Sequence, residues 1–169
     1  NSPGASYNIN LGCFTGFCAT SGNHNIFAGT CAGYYNSTGT DNIFLGRKAG
    51  YCSQTASNNT FLGAYAGVRN RVGDNNVFVG KCAGERNTTG CDNVFIGRWA
   101  GQCNVSGNNN IIMGAVAGSD LYTLTGGLIT TQNNYIVLGN RNHTCALMQV
   151  AFTVTSDIRE DRKSTRLNS

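Results

Sequence analysis

Apolar and polar positions along this chain follow one 17-residue pattern, in unbroken register from Asn8 to Gly118. Asn recurs at Asn8, Asn25, Asn42, Asn59, Asn76, Asn93 and Asn110, and Gly follows four and eight positions later in every copy, from Gly12 and Gly16 to Gly114 and Gly118. Between the Asn and the first Gly lies a triplet whose outer members are mostly apolar. Its central residue is Phe in five copies: Phe27, Phe44, Phe61, Phe78 and Phe95. A short apolar run bounded by Asn and Gly has the length and composition of a strand, and a polar stretch such as Asn87-Thr88-Thr89-Gly90 supplies a return turn. The Ala-Gly step, as in Ala49-Gly50 or Ala83-Gly84, reads as a second short extended piece. Each repeat then holds two strands and two turns. A helical repeat needs about twice this length, and the helical period of about 3.6 residues is missing. The pattern predicts an all-β chain, a parallel β-solenoid or β-roll of 17-residue repeats.

Alternation along the strand adds a second prediction. Each Phe points to one face and its two neighbours to the other. The Phe column can fill a narrow interior against the small Ala-Gly column. Each buried Phe would contribute roughly 1.5–3 kcal/mol. The opposite face carries Ile43 and Leu45, Val77 and Val79, Val94 and Ile96, and their equivalents, also apolar. Left bare, it would be an aggregation-prone strip, so the sequence predicts an oligomer in which like copies cover it. The Asn column is expected to hold the turn, by tolerating positive φ, and to pair from rung to rung. Calcium at this column is not expected, because only Asp41, Asp74 and Asp92 recur near it.

Composition sharpens this picture. Eight Phe, seven Tyr and a fixed register argue for order, although the charged fraction is only 12% and Gly numbers 23. No apolar run approaches the ~20 residues that span a bilayer. The segment 159–169 carries half of the net charge of +4, which leaves too dilute a field for a nucleic-acid footprint. Arg47, Lys81 and Arg98 share one position in the repeat, as a short basic row or a solvated turn edge. Eight cysteines point to an oxidising compartment. The step from Cys31 to Cys52 is one repeat plus four positions, and Cys82 to Cys103 repeats it three repeats later. We read these pairs as two equivalent inter-rung disulfides. The alternative is buried free thiols filling core gaps. No CxxC is present, and no zinc site is predicted. Five N-x-[ST] triplets begin at Asn36, Asn58, Asn87, Asn104 and Asn142. Three of them share a loop position from which a glycan is expected to project.

The repeat domain spans residues 1–118. Residues 119–132 form an insertion, 133–140 an imperfect last rung, 141–158 a strand-like neck and 159–169 either the truncated start of a chaperone domain or a non-native tail. The unit N-N-x-F-x-G-x-x-A-G followed by N-T-T-G resembles the heads of YadA-type trimeric adhesins and the repeat stalks of phage tail fibres. That resemblance implies a left-handed β-roll wound as a homotrimer. Thr155-Ser156-Asp157-Ile158-Arg159 resembles the opening of the self-cleaving intramolecular chaperone of tail fibres and endosialidases. In that family the Ser is the nucleophile and a Lys five residues later activates it. Asp161 stands at the Lys position, so Ser156 is expected to be inert and no catalytic residue is proposed.

The sequence therefore predicts a non-enzymatic structural segment of a trimeric extracellular fibre, on a cell surface or virion. No cofactor and no metal are expected. Its partners would be other copies of itself and a host-surface or glycan receptor, with no nucleic acid and no membrane insertion. The alternative is a carbohydrate-binding or polysaccharide-degrading solenoid of the tailspike kind, for which no close carboxylate pair recurs. A Thr-rich ice-binding ladder is a third class, but its row of Thr38, Thr55 and Thr89 is interrupted.

Overall fold

The computed structural model describes residues 7–118 and 129–140. Eight three-residue strands stack in chain order as one parallel sheet: β1 (Ile9–Leu11), β2 (Ile26–Ala28), β3 (Ile43–Leu45), β4 (Thr60–Leu62), β5 (Val77–Val79), β6 (Val94–Ile96), β7 (Ile111–Met113) and β8 (Ile136–Leu138). Register is fixed by the repeat: Phe44 lies opposite Phe27 and Phe61, and Phe78 opposite Phe61 and Phe95. The chain is a parallel β-solenoid of about six turns, each turn one repeat.

Each strand is short because both ends are turned sharply. Just before the Asn column, Asp41, Asn58, Asn75 and Asp92 hold φ between 56° and 59°. Just after the triplet, Gly46, Gly63 and Gly80 hold φ between 132° and 136°, a region closed to most L-residues. These glycines also stack with backbone against backbone: a Cβ on Gly46 would stand 2.6 Å from the Gly63 carbonyl of the next rung.

The interior holds two facing columns. Phe44, Phe61, Phe78 and Phe95 are fully buried and face Ala49, Ala66, Ala83 and Ala100, with Ile112 and Ala117 continuing the columns. Successive rings stack at 4.8–5.0 Å with interplanar angles of 4–11°, from Phe27 to Phe95. Such stacking adds about 0.5–1.5 kcal/mol per pair beyond burial.

Two expectations need correction. The Ala-Gly step is a turn and not a second strand. Lys48 and Gly50 both adopt φ near 56–57°, and Ala49 N–H donates back to Gly46 C=O at 3.1 Å. The reason is the Phe column: a Cβ on Gly50 would come 2.4 Å from the Phe44 ring, so the chain wraps the ring tightly. Positive φ belongs to the residue preceding the Asn column, while the Asn side chains point inward. Asn42 is fully buried; its backbone N–H and its Nδ2 both donate to Asn25 Oδ1, at 3.0 and 3.1 Å, and Nδ2 also donates to Ala56 C=O at 2.8 Å. The bonds to the preceding Asn repeat through Asn59, Asn76, Asn93 and Asn110. Rung-to-rung pairing is therefore present as expected.

The coil resumes earlier than the sequence indicates. Ile129 is buried, and Thr130 C=O accepts from Val105 N–H at 2.6 Å, so residues 129–132 already belong to the last rung. Ile111 pairs with Ile136, and this turn carries an insertion. The bond from Tyr135 N–H to Asn110 Oδ1 spans 25 positions where its equivalent from Asn110 to Asn93 spans 17.

Candidate interaction surfaces

The outer face of the sheet is the first candidate. Side chains flanking the buried column point away from the core: Ile26, Ile43, Leu45, Ile111 and Met113 are exposed, and Thr60, Leu62, Val77, Val79, Val94 and Ile96 are half-buried. The eight strands thus present two parallel columns, apolar except at Thr60. Beside them runs a cationic and aromatic edge. The Arg47 guanidinium lies 4.7 Å from the Tyr65 ring centre and that of Arg98 4.3 Å from Trp99. With Lys81 exposed between them, the basic row is a solvent-facing edge in which two cations rest on rings.

A second surface was not found by sequence reasoning. On the first rungs, Phe17, Tyr34 and Tyr51 stack at 5.2 Å, each one repeat from the next, with Tyr35 edge-on to Tyr34 and Tyr51 at 4.7 and 5.1 Å. This ladder runs into an open groove of about 410 Å³ lined by Tyr35, Cys52, Gln54, Arg69, Arg71 and Thr88. Its signal in the sequence is aromatics recurring at one repeat position, Phe17, Tyr34 and Tyr51.

Other residues singled out in the sequence lie elsewhere. Cys13, Cys18, Cys31, Cys52, Cys82, Cys91 and Cys103 are free thiols, and the expected Cys31–Cys52 and Cys82–Cys103 bridges are not formed. The coil stacks like positions of the repeat, whereas a step that overshoots one repeat puts the two thiols of each pair in different columns. Cys31 lies near Tyr34 and Tyr51, Cys52 near Arg71 and Arg69, and Cys82 near Trp99 and Glu85. Burial raises the Cys52 thiol above its ordinary range against the pull of Arg71 and Arg69, and burial likewise raises Cys82.

The glycan expectation is corrected at three sites. Asn36, Asn87 and Asn104 are fully buried, so no glycan projects from them. Asn87 Nδ2 donates to Asn70 Oδ1 and Asn104 Nδ2 to Asn87 Oδ1, each at 2.8 Å, making a second Asn column that the triplet motif had disguised. Asn58 is exposed. Asn142, Cys145, Ser156, the neck and the tail lie outside the described residues.

Among the described residues no group of three His, Cys, Asp or Glu is placed to hold a metal ion, and no helix is long and apolar enough to cross a membrane. Among the described residues the one close approach of a basic to an acidic side chain is His24 Nδ1 to Asp41 Oδ1, at 3.6 Å. No protein-family model, no curated protein and no solved structure matches this chain.

Proposed function

We propose that this chain is a non-enzymatic structural segment of a homotrimeric extracellular fibre, a rigid stalk or head that holds attachment surfaces apart. The observation that carries this reading is the outer strand face. The core of each rung is complete without it, yet it offers two apolar columns along the whole sheet. Copies sharing a rung spacing can pack these columns about a common axis at every level. Three is the number implied by the resemblance to trimeric adhesins and tail fibres. Placement outside the cell rests on the same resemblance, since free thiols lend it no weight. The non-enzymatic reading is supported by the use made of the carboxylates: Asp74 accepts from Ser57 N–H at 2.7 Å, Asp41 pairs with His24, and Glu85 accepts from Gln102 Nε2 at 2.7 Å.

Light scattering of the purified chain should report about three times its mass of 17.9 kDa. Ile96→Asp or Val77→Asp should lower the mass to that of one chain while the β signal in circular dichroism remains. Each would bury an unpaired carboxylate between copies but leave the rung interior untouched. A stable monomer with an intact β signal, in the unmodified chain, would sink the proposal.

A further inference from the structure

We propose that the groove running from Tyr35 to Thr88 is a binding subsite for an acidic saccharide. The site is built within one chain and does not depend on the trimer. By its place in the repeat it lies half a turn of the coil away from the apolar strand face, so a partner copy on that face leaves it open.

The repeat sets its shape. Tyr35, Cys52 and Arg69 occupy one position of three successive rungs, and Gln54, Arg71 and Thr88 occupy another, two residues further on. Rungs are spaced by about 4.8 Å, so the groove runs roughly 14 Å along the fibre, the length of two to three sugar rings. Arg69 and Arg71 are exposed on either side of buried Asn70. Among the described residues neither guanidinium has a carboxylate partner. Glu85, on the next rung, accepts from Gln102, and Asp74 accepts from Ser57 N–H. Two unpaired guanidinium groups side by side match a planar carboxylate in geometry and charge.

The remaining lining distinguishes a sugar from a bare anion. Tyr35 is 42% exposed and its ring is held edge-on by Tyr34 and Tyr51, which gives a fixed apolar wall for the C–H face of a pyranose. Gln54 is exposed, and its carboxamide offers both a donor and an acceptor to ligand hydroxyls. Thr88 Oγ1 donates to Val105 C=O at 3.0 Å and retains lone pairs to accept from a hydroxyl. Cys52 gives the floor an apolar patch. A few polar groups converging on an apolar, aromatic surface are what orient a small ligand.

Calorimetric titration of the full chain with two acidic trisaccharides, one of uronic acid and one ending in sialic acid, tests the assignment. Their carboxyl-reduced neutral counterparts and inorganic phosphate are the comparison ligands. At least one acidic trisaccharide should bind saturably, and its neutral counterpart at least about tenfold more weakly. Arg71→Ala and Tyr35→Ala should each weaken binding by about tenfold or more, whereas Lys81→Ala, on the edge beside the strand face and outside the groove, should not. All three positions are exposed, so circular dichroism should be unchanged; if Tyr35→Ala disturbs it, Arg71→Ala decides alone. Absence of binding by both acidic ligands, equal binding of the neutral forms, or phosphate binding as tightly as the saccharide overturns the proposal. Mass measured in the same samples separates this from the fibre reading. A trimer that binds nothing removes the subsite alone, and a monomer that binds removes the trimer alone.

Discussion

At the residue scale, the solenoid depends on side chains that have no freedom to vary. Gly50→Ala would force positive φ on a residue with a Cβ and drive that Cβ into the Phe44 ring. The expected cost is about 2–5 kcal/mol, read as a large fall in thermal midpoint. Asn59→Ala should cost about 1–3 kcal/mol, because Asn76 N–H loses its acceptor at 2.9 Å inside the coil. A midpoint unchanged in both variants would contradict the packing described. The thiols offer a different check. A raised pKa means less thiolate at a given pH, so alkylation at pH 8 should modify exposed Cys13 first, with Cys52 slow and Cys82 slowest. Peptide mapping of the labelled chain gives the order, and recovery of Cys31–Cys52 or Cys82–Cys103 disulfide peptides would contradict the free thiols. Individual roles were unevenly legible in the sequence. Phe44 and its equivalents declare themselves through register and alternation. The left-handed corners do not, because their occupants include Cys31, Lys48, Tyr65, Trp99 and Val116, residue types that carry no turn signal.

At the element scale, the strand is the smallest part of the rung. Three residues pair laterally as sheet, and most of the remaining inter-rung bonds come from turns: Gly50 N–H donates to Ala66 C=O at 2.9 Å, and Cys52 N–H to Val68 C=O at 3.0 Å. This explains why the second extended piece, inferred from Ala49-Gly50, proved to be a corner. Small residues signal close approach, which both a strand and a wrapped turn require. It also explains why Asn36, Asn87 and Asn104 read as glycan acceptors, since N-x-[ST] cannot distinguish an outward loop from a buried position. Because every rung repeats the same bonds, the unit is modular. Deleting residues 60–76, one full repeat, should leave a shorter solenoid with native β signal and a modestly lower melting temperature. Deleting 60–75 instead shifts every later position by one and should abolish cooperative melting. Equal behaviour of the two deletions would refute register as the organising constraint.

At the scale of the whole molecule, the chain is a column with one continuous interior and several distinct sides. The fold was legible almost entirely, since so short and strict a period admits few solutions. The candidate sites were less so. The apolar strand face follows from alternation and was anticipated. The groove between Tyr35 and Thr88 draws its six residues from four rungs, and no local motif marks it.

The second Asn column is not continuous. Ala19 and Ser53 occupy its position on either side of Asn36, whose Nδ2 and Oδ1 are buried without partners, as is Ser53 Oγ. Elsewhere the column is bonded from Asn70 to Asn104. A stack of rungs pulled along its axis behaves as links in series: each interface bears the same load, and lengthening the stack neither strengthens nor weakens it. Rupture then begins at the poorest interface, wherever in the stack it lies. In this chain the column is unbonded at three successive junctions, from Ala19 through Asn36 and Ser53 to Asn70. The first rungs are therefore where the stack should part, and Ser53→Asn would restore a bonding residue at two of those junctions.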